Sequence, residues 1–156
     1  MKVITSLGSV VQEILASSVV LANESAALVR SIFKNGELGV IDKGGLKNYQ
    51  TEADRAVQRL IITTLRAKFP DVNIIGEEDG DDGSDGAEKC KVYEAQDGEV
   101  LGKTMPVDLA SAKANDVTIW IDPLDGTMEF IDRLLHHVTI LIGVAVGDKG
   151  EDKKVL

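Results

Sequence analysis

The sequence predicts an α/β chain, and three observations carry that prediction. Residues 4–34 and 51–69 place apolar side chains at helical spacing. Residues 73–75, 117–122 and 138–146 are short apolar runs of strand type. The two kinds of segment follow one another along the chain instead of separating into blocks.

The first helix is read from Leu7, Val10, Val11, Ile14, Leu15, Leu21, Val29, Ile32 and Phe33, with Gly36 as its stop. Residues 38–42 read as a short strand, broken by Gly44 and Gly45. The second helix shows its stripe in Ala53, Val57, Leu60, Ile61, Leu65 and Phe69, and Pro70 prevents continuation. The strand at 73–75 runs into Gly76-Glu77-Glu78. Residues 79–116 lack a period and read as an insertion or long loop, with a short hairpin at 90–101. The strand at 117–122 ends in Asp122, a short helix opens at Asp125-Gly126-Thr127, and 138–146 is the most apolar run, a central strand.

At 156 residues the chain has the length of one domain. It holds 26 acids against 17 bases, a formal charge of −9. The excess is local, because residues 71–99 hold eleven acids and two bases and the remainder is balanced. That distribution argues against a basic groove for nucleic acid and fits a solvated loop or a cation site. Cys90 is the only cysteine, so an internal disulfide and a cysteine zinc site are excluded. The first residues lack a secretory pattern and no run approaches the roughly 18 apolar residues of a membrane span, so a soluble, cytoplasmic setting is expected.

Asp122-Pro123-Leu124-Asp125-Gly126-Thr127 is the strongest chemical candidate. Two carboxylates follow a strand and precede a helix start, Pro123 restricts one torsion, and Gly126 permits a tight turn. Such a turn can aim both carboxylates and a carbonyl at one point, the hard-oxygen environment that Mg²⁺ prefers, while the helix-start amides favour an anion. The plain alternative is that Asp125 or Thr127 only caps the helix. Gly76-Glu77-Glu78-Asp79 is a second acid-tipped strand or an acidic loop. Thr51-Glu52-Ala53-Asp54 resembles a capping box, which leaves Asp54 free to face a site as well.

Three further patterns fail on spacing. Gly98 to Thr104 has three residues between its glycines where a phosphate loop needs four. A calcium loop starting at Asp81 would need a glutamate where Val92 stands. His136 and His137 are adjacent, share no face of a regular element, and read as surface or structural residues.

WIDPLDGTMEFI at 120–131, with IIGEED at 74–79 and the Ala-Asp of QTEAD at 50–54, resembles the lithium-sensitive, magnesium-dependent phosphomonoesterases. These include inositol monophosphatase, inositol polyphosphate 1-phosphatase and 3′(2′),5′-bisphosphate nucleotidase. LRAKFPDVNIIGEED and LLHHVTILIGVAVGDK are most similar to the nucleotidase branch. The resemblance covers about residues 20–148 and implies the N-terminal αβ part of a layered αβαβα fold, with residues 1–156 as its metal-binding part and about 79–116 as an insertion. It implies two to three Mg²⁺ ions, with Glu77, Asp122, the Leu124 carbonyl and Asp125 as ligands. Asp54 would pair with Thr127 and deprotonate or orient the attacking water, and the amides of Gly126 and Thr127 would hold phosphate oxygens. The implied reaction is removal of the 3′(2′)-phosphate of adenosine 3′,5′-bisphosphate, with an inositol polyphosphate 1-phosphatase or a truncated, non-catalytic metal-binding chain as alternatives.

The chain also departs from the family pattern. The family continues for a second half, with a Trp-Asp pair whose Asp is a ligand of the second metal, and no tryptophan follows Trp120 here. Asn48 and Tyr49 stand where the nucleotidase branch more often has Asp-Leu, and His137 where asparagine is common. The expected partner is a small phosphorylated molecule. A strand at 138–146 left at an edge would also favour self-association.

Overall fold

Two long helices pack on one face of a four-stranded sheet. The computed structural model describes residues 8–46, 48–78 and 91–147, and the backbone of 154–155. Helix α1 spans Val10–Asn35. The Ser9 hydroxyl caps it by accepting from the Gln12 amide at 3.3 Å, and Gly36 ends it at φ 82°. The helix therefore starts later than the apolar spacing suggests, and residues 4–7 lie outside the described residues. The strand expected at 38–42 contracts to β1 (Ile41–Asp42), which pairs antiparallel with β2 (Tyr49–Gln50). Helix α2 (Glu52–Lys68) begins after Thr51 and stops at Phe69, before Pro70.

β3 (Asn73–Gly76), β4 (Val117–Asp125), β5 (Thr139–Val146) and β6 (Lys154–Val155) form a sheet in chain order. β3 lies parallel to β4, and the other neighbours are antiparallel. β5 is thus interior, as expected, but β6 pairs only with Ala145 and Val146. Among the described residues the remainder of its outer edge has no strand partner.

The hairpin expected at 90–101 is not present over residues 91–101. That stretch is irregular to Asp97 and then forms the single-turn helix α3 (Gly98–Leu101), capped by Asp97, whose carboxylate accepts from the Val100 amide at 2.9 Å. The carbonyls that a second strand would have bound are taken by α1. The Gln12 amide group donates to Val100, Leu101 and Lys103 at 3.0, 3.0 and 2.7 Å. A second short helix, α4 (Val107–Ala110), and a 3₁₀ turn at Ala114–Asp116 lead into β4. β4 extends to Asp125, three residues past its expected end, and α5 (Thr127–Ile131) follows.

The core lies between the helices and the sheet. Val11, Ile14 and Leu21 of α1 and Val57, Ile61 and Leu65 of α2 are buried in one cluster with Val117, Ile119, Ile121 and Val144. Phe130 closes that cluster near the site and meets Phe33 with ring centroids 5.6 Å apart. The opposite face is different. Ile75, Trp120 and Leu141 are 42, 37 and 49 % exposed, and the register puts all three on the side away from Ile119 and Ile121. Among the described residues, no helix is long and apolar enough to cross a membrane.

Ile119→Ala removes a fully buried branched side chain from the middle of β4, and is expected to cost about 2–5 kcal/mol. Urea unfolding followed by circular dichroism measures that loss.

Candidate metal and phosphate site

Parallel pairing is what assembles the acidic residues. Gly76 is in register with Ile121, and the Glu77 amide continues the ladder by donating to the Ile121 carbonyl at 2.9 Å. The residue after β3 therefore stands beside Asp122 of β4, and the two carboxyl groups are neighbours. Glu77 is exposed by area, but its carboxyl end is crowded. That desolvation, followed by the hydrogen bond and charge of Asp122, pushes its pKa up to about 7. The charge of Glu78 acts in the same direction, and Lys43 opposes it.

Beyond Asp122 the β4–β5 register shifts. Asp122 is opposite Leu141 and Asp125 is opposite Thr139, so three steps on β4 match two on β5. The extra residue falls at Pro123-Leu124, where proline has no N–H to give to a ladder. In a regular strand Asp122 and Asp125 would point to opposite faces. The bulge returns them to the same face, the open one that also carries Trp120. Asp125 is exposed, and its carboxylate accepts from the Thr139 hydroxyl at 3.0 Å. The Leu124 amide donates to Asp122 at 3.2 Å, bracing the turn from within.

Gly126 then takes the left-handed conformation at φ 93°, where a side chain would also stand 3.1 Å from the His137 carbonyl. The chain reverses into α5, and the Thr127 hydroxyl comes to lie 3.2 Å from both the Leu124 carbonyl and the Asp54 carboxylate. Asp54 arrives from the first turn of α2, buried, and accepts from the Thr51 amide at 2.8 Å and from the Thr51 hydroxyl. The capping box forms as expected, and it leaves Asp54 with one carboxylate oxygen on Thr51 and the other on Thr127. Burial raises its pKa, the Thr51 hydrogen bonds work against that, and the Glu78 charge adds to it.

The structure therefore brings Asp54, Thr127 and the Leu124 carbonyl into one group and Glu77 with Asp122 into a second, with Asp122 and Leu124 joining them. Asp125 is on the same face but turned to Thr139. Among the described residues, no three Asp, Glu, His or Cys side chains converge closely enough to enclose an ion by themselves.

Glu78, named in the sequence as part of an acid-tipped strand or an acidic loop, is 6 % exposed and bound by Lys43 at 2.9 Å and Gln50 at 2.6 Å. Gln58 and Thr139 are site residues that the sequence does not single out. Gln58 binds the Glu78 backbone, and its single sequence signal is its place one helical turn after Asp54. Thr139 has no signal in an otherwise apolar run. The near-phosphate-loop at Gly98–Thr104 uses its Gly102 and Lys103 amides on the Gly98 and Val100 carbonyls. The calcium-like stretch from Asp79 to Gly86 lies outside the described residues. His136 and His137 lie in a 3₁₀ turn with their rings tilted to one another and centroids 4.1 Å apart.

The model of the Inositol monophosphatase family matches residues 10–151. The chain belongs to the inositol monophosphatase family. Its relatives include 3′(2′),5′-bisphosphate nucleotidase 1 of Rattus norvegicus, 36% identical over 141 residues, which covers 90% of this chain and 45% of that protein. The Homo sapiens protein of the same name is 36% identical over 144 residues, 92% of this chain and 46% of its own length. A more distant relative, the Golgi-resident adenosine 3′,5′-bisphosphate 3′-phosphatase of Rattus norvegicus, is 32% identical, with 88% and 39% covered. Among solved structures, the Thermotoga maritima IMPase matches with a TM-score of 0.53 and 28% identity over 88% of this chain and 40% of that one. The chain thus spans less than half the length of these relatives. The α/β arrangement is that of this phosphatase family, a family of phosphoric monoester hydrolases that is generally metal-dependent.

The raised Glu77 carboxyl has a thermodynamic sign. Between its ordinary pKa of 4.5 and its folded value of about 7, the folded protein holds a proton that the unfolded chain has released. Stability of the metal-free protein therefore falls as pH rises through that window, and Asp54 pushes the same way. Tm measured in chelator from pH 4.5 to 7.5 should decline, and Glu77→Gln should flatten the decline.

Proposed function

We propose that this chain carries the metal and phosphate site of a magnesium-dependent phosphomonoesterase, acting on the 3′(2′)-phosphate of adenosine 3′,5′-bisphosphate to release AMP and phosphate. The observation that carries the reading is the hydrogen-bonded array Asp54–Thr127–Leu124 next to the Glu77–Asp122 pair. The names of the bisphosphate nucleotidase relatives favour that substrate over an inositol polyphosphate, which is the second substrate to test.

The donor set fits Mg²⁺. Glu77, Asp122 and the Leu124 carbonyl present hard oxygens, and Asp125 on the same face can supply another by leaving Thr139. Two neighbouring carboxyls, with Glu77 harder to ionise than usual, suit a cation as their partner. Bound there, Mg²⁺ supplies positive charge to a phosphoryl group that would otherwise repel its nucleophile.

The chain's own residues handle the proton and the phosphate. The Thr127 hydroxyl has one proton and two acceptors within 3.2 Å, so Asp54 can receive that proton as the hydroxyl takes one from an attacking water. The raised pKa of Asp54 makes it a better acceptor than an ordinary aspartate. The Gly126 and Thr127 amides would bind phosphate oxygens at the turn into α5.

A non-catalytic metal-binding role is the second reading. Among the described residues the acids form a pair and a neighbour, and not a closed set. Phosphate release from adenosine 3′,5′-bisphosphate and from inositol 1,4-bisphosphate, titrated with Mg²⁺, separates the readings. The phosphatase reading expects Mg²⁺-dependent release that falls about 10²–10⁴-fold in Thr127→Ala or Asp54→Asn. A rise in Tm with Mg²⁺ and no release supports the second reading. Asp122→Asn should abolish the rise, and equal shifts in mutant and parent would refute the assignment of the metal to this pair.

A second copy of the chain is the proposed partner for the open side of β5. Its edge at residues 139–144 offers backbone donors and acceptors that the same strand of another copy can complete antiparallel, beside exposed Leu141. Sedimentation should show a dimer that Leu141→Lys dissociates. A monomer across the concentration range refutes it.

A further inference from the structure

The strand end that carries Glu77 is gripped from α2 by one side chain. The Gln58 Nε2 donates to the Glu78 carbonyl at 2.8 Å, and the Glu78 amide donates back to the Gln58 Oε1 at 3.0 Å. A primary amide used this way completes the backbone bonding of Glu78 as a neighbouring strand would. Gln58 is 1 % exposed, so both bonds form away from water, where leaving either group unpaired is costly.

Gly76 shows how close the approach is. A Cβ there would stand 2.4 Å from the Gln58 Oε1 and 2.6 Å from its Cδ, well inside contact distance. Gly76 has an ordinary backbone conformation, not a left-handed one. Its lack of a side chain is therefore explained by the room Gln58 takes.

We propose that Gln58 is a positioning residue for the candidate metal site, acting through the Glu78 peptide to fix the carboxyl of Glu77 relative to Asp54 and Asp122. The inference rests on the reading that Glu77 holds the metal. Glu77 is pinned on one side by its own amide on Ile121 of β4, and on the other by the grip of α2 on the next residue. Gln58 is one turn after Asp54 on the same helix, so a single rigid element sets both the Asp54–Thr127 contact and the Glu77 backbone. The Glu78 carboxylate is meanwhile held by Lys43 and Gln50, away from the Gln58 amide group. Glutamine suits the position because it donates and accepts at once. A glutamate would set an anion against the Glu78 carbonyl, and a methionine of similar volume would offer neither bond.

The experiment uses Mn²⁺ as the probe, its affinity measured by calorimetry on the full chain. Gln58→Met is expected to weaken Mn²⁺ binding about 10–100-fold, the range typical of residues that hold a ligand in place. Gln58→Glu keeps the acceptor for the Glu78 amide and should fall between parent and Gln58→Met. Ile61→Ala, a core substitution of comparable cost to stability, should leave the affinity unchanged. Hydrogen exchange without metal gives a second measurement. Gln58→Met should speed exchange of the Glu77 amide, which Gln58 does not itself bind, at least tenfold more than that of Ile119. Mn²⁺ affinity and Glu77 exchange both within twofold of the parent would overturn the proposal. A parent protein that binds no Mn²⁺ would instead sink the metal reading, and the exchange measurement would still decide the role of Gln58.

Discussion

Parallel pairing of Asn73–Gly76 with Thr118–Ile121 puts the carboxyl ends of two strands on one side of the sheet, and the acids that follow each strand are brought together by it. Glu77 adds one more rung by donating to Ile121, which commits its side chain to the neighbourhood of Asp122. A slip of one residue would turn Glu77 to the helix face and put Glu78 beside Asp122. The register is held against that slip by the apolar side chains that alternate with the acids. Ile119 and Ile121 are buried under the helices, so the residues between them must face the other way.

The second constraint is local to Asp122–Thr127. A straight strand could not present Asp122 and Asp125 on one face, and the added residue at Pro123-Leu124 corrects the parity. Gly126 then reverses the chain tightly enough to return the Thr127 hydroxyl to the Leu124 carbonyl and to Asp54 of a distant helix. Each residue type has its own physical task here: proline gives up a ladder donor, glycine takes a positive φ, and threonine links the two halves of the site.

Much of this was legible because it is local. The helix stripes, the glycine and proline stops, and the acids at strand ends are short-range signals, and they located α1, α2, β3, β4 and β5, with the start of α1 six residues and the end of β4 three residues out. The capping box at Thr51 was also legible, although spacing alone could not show that the same carboxylate reaches Thr127, 73 residues away. What could not be read depends on tertiary contact. The sequence suggests a hairpin at 90–101, but no local pattern reveals that Gln12 of α1 consumes the carbonyls at 100, 101 and 103. For Glu78 the sequence leaves a strand-end acid and an acidic loop both open, because its partners Lys43 and Gln50 lie in a hairpin too short to announce itself. Asp125 was assigned by resemblance, and its hydrogen bond to Thr139 follows from a strand register that sequence does not encode within any single window.

The energetic character of the site follows from where these acids stand. Four carboxyl groups, Asp54, Glu77, Glu78 and Asp122, gather at one end of the sheet, and Lys43 is the cation bound directly to one of them. Two of the four, Asp54 and Glu77, are harder to ionise than ordinary carboxyls, which means that folding works against their charge at neutral pH. A fold that keeps such a cluster retains a local instability that positive charge relieves, and a divalent cation relieves more of it than a proton on one carboxyl can. The same tension explains the rigid frame around the cluster. Mutually repelling carboxylates left on flexible loops would separate, so the Ile121 rung, the Gln58 grip, the Thr51 cap and the Lys43–Glu78 pair each hold one of them where repulsion would otherwise move it.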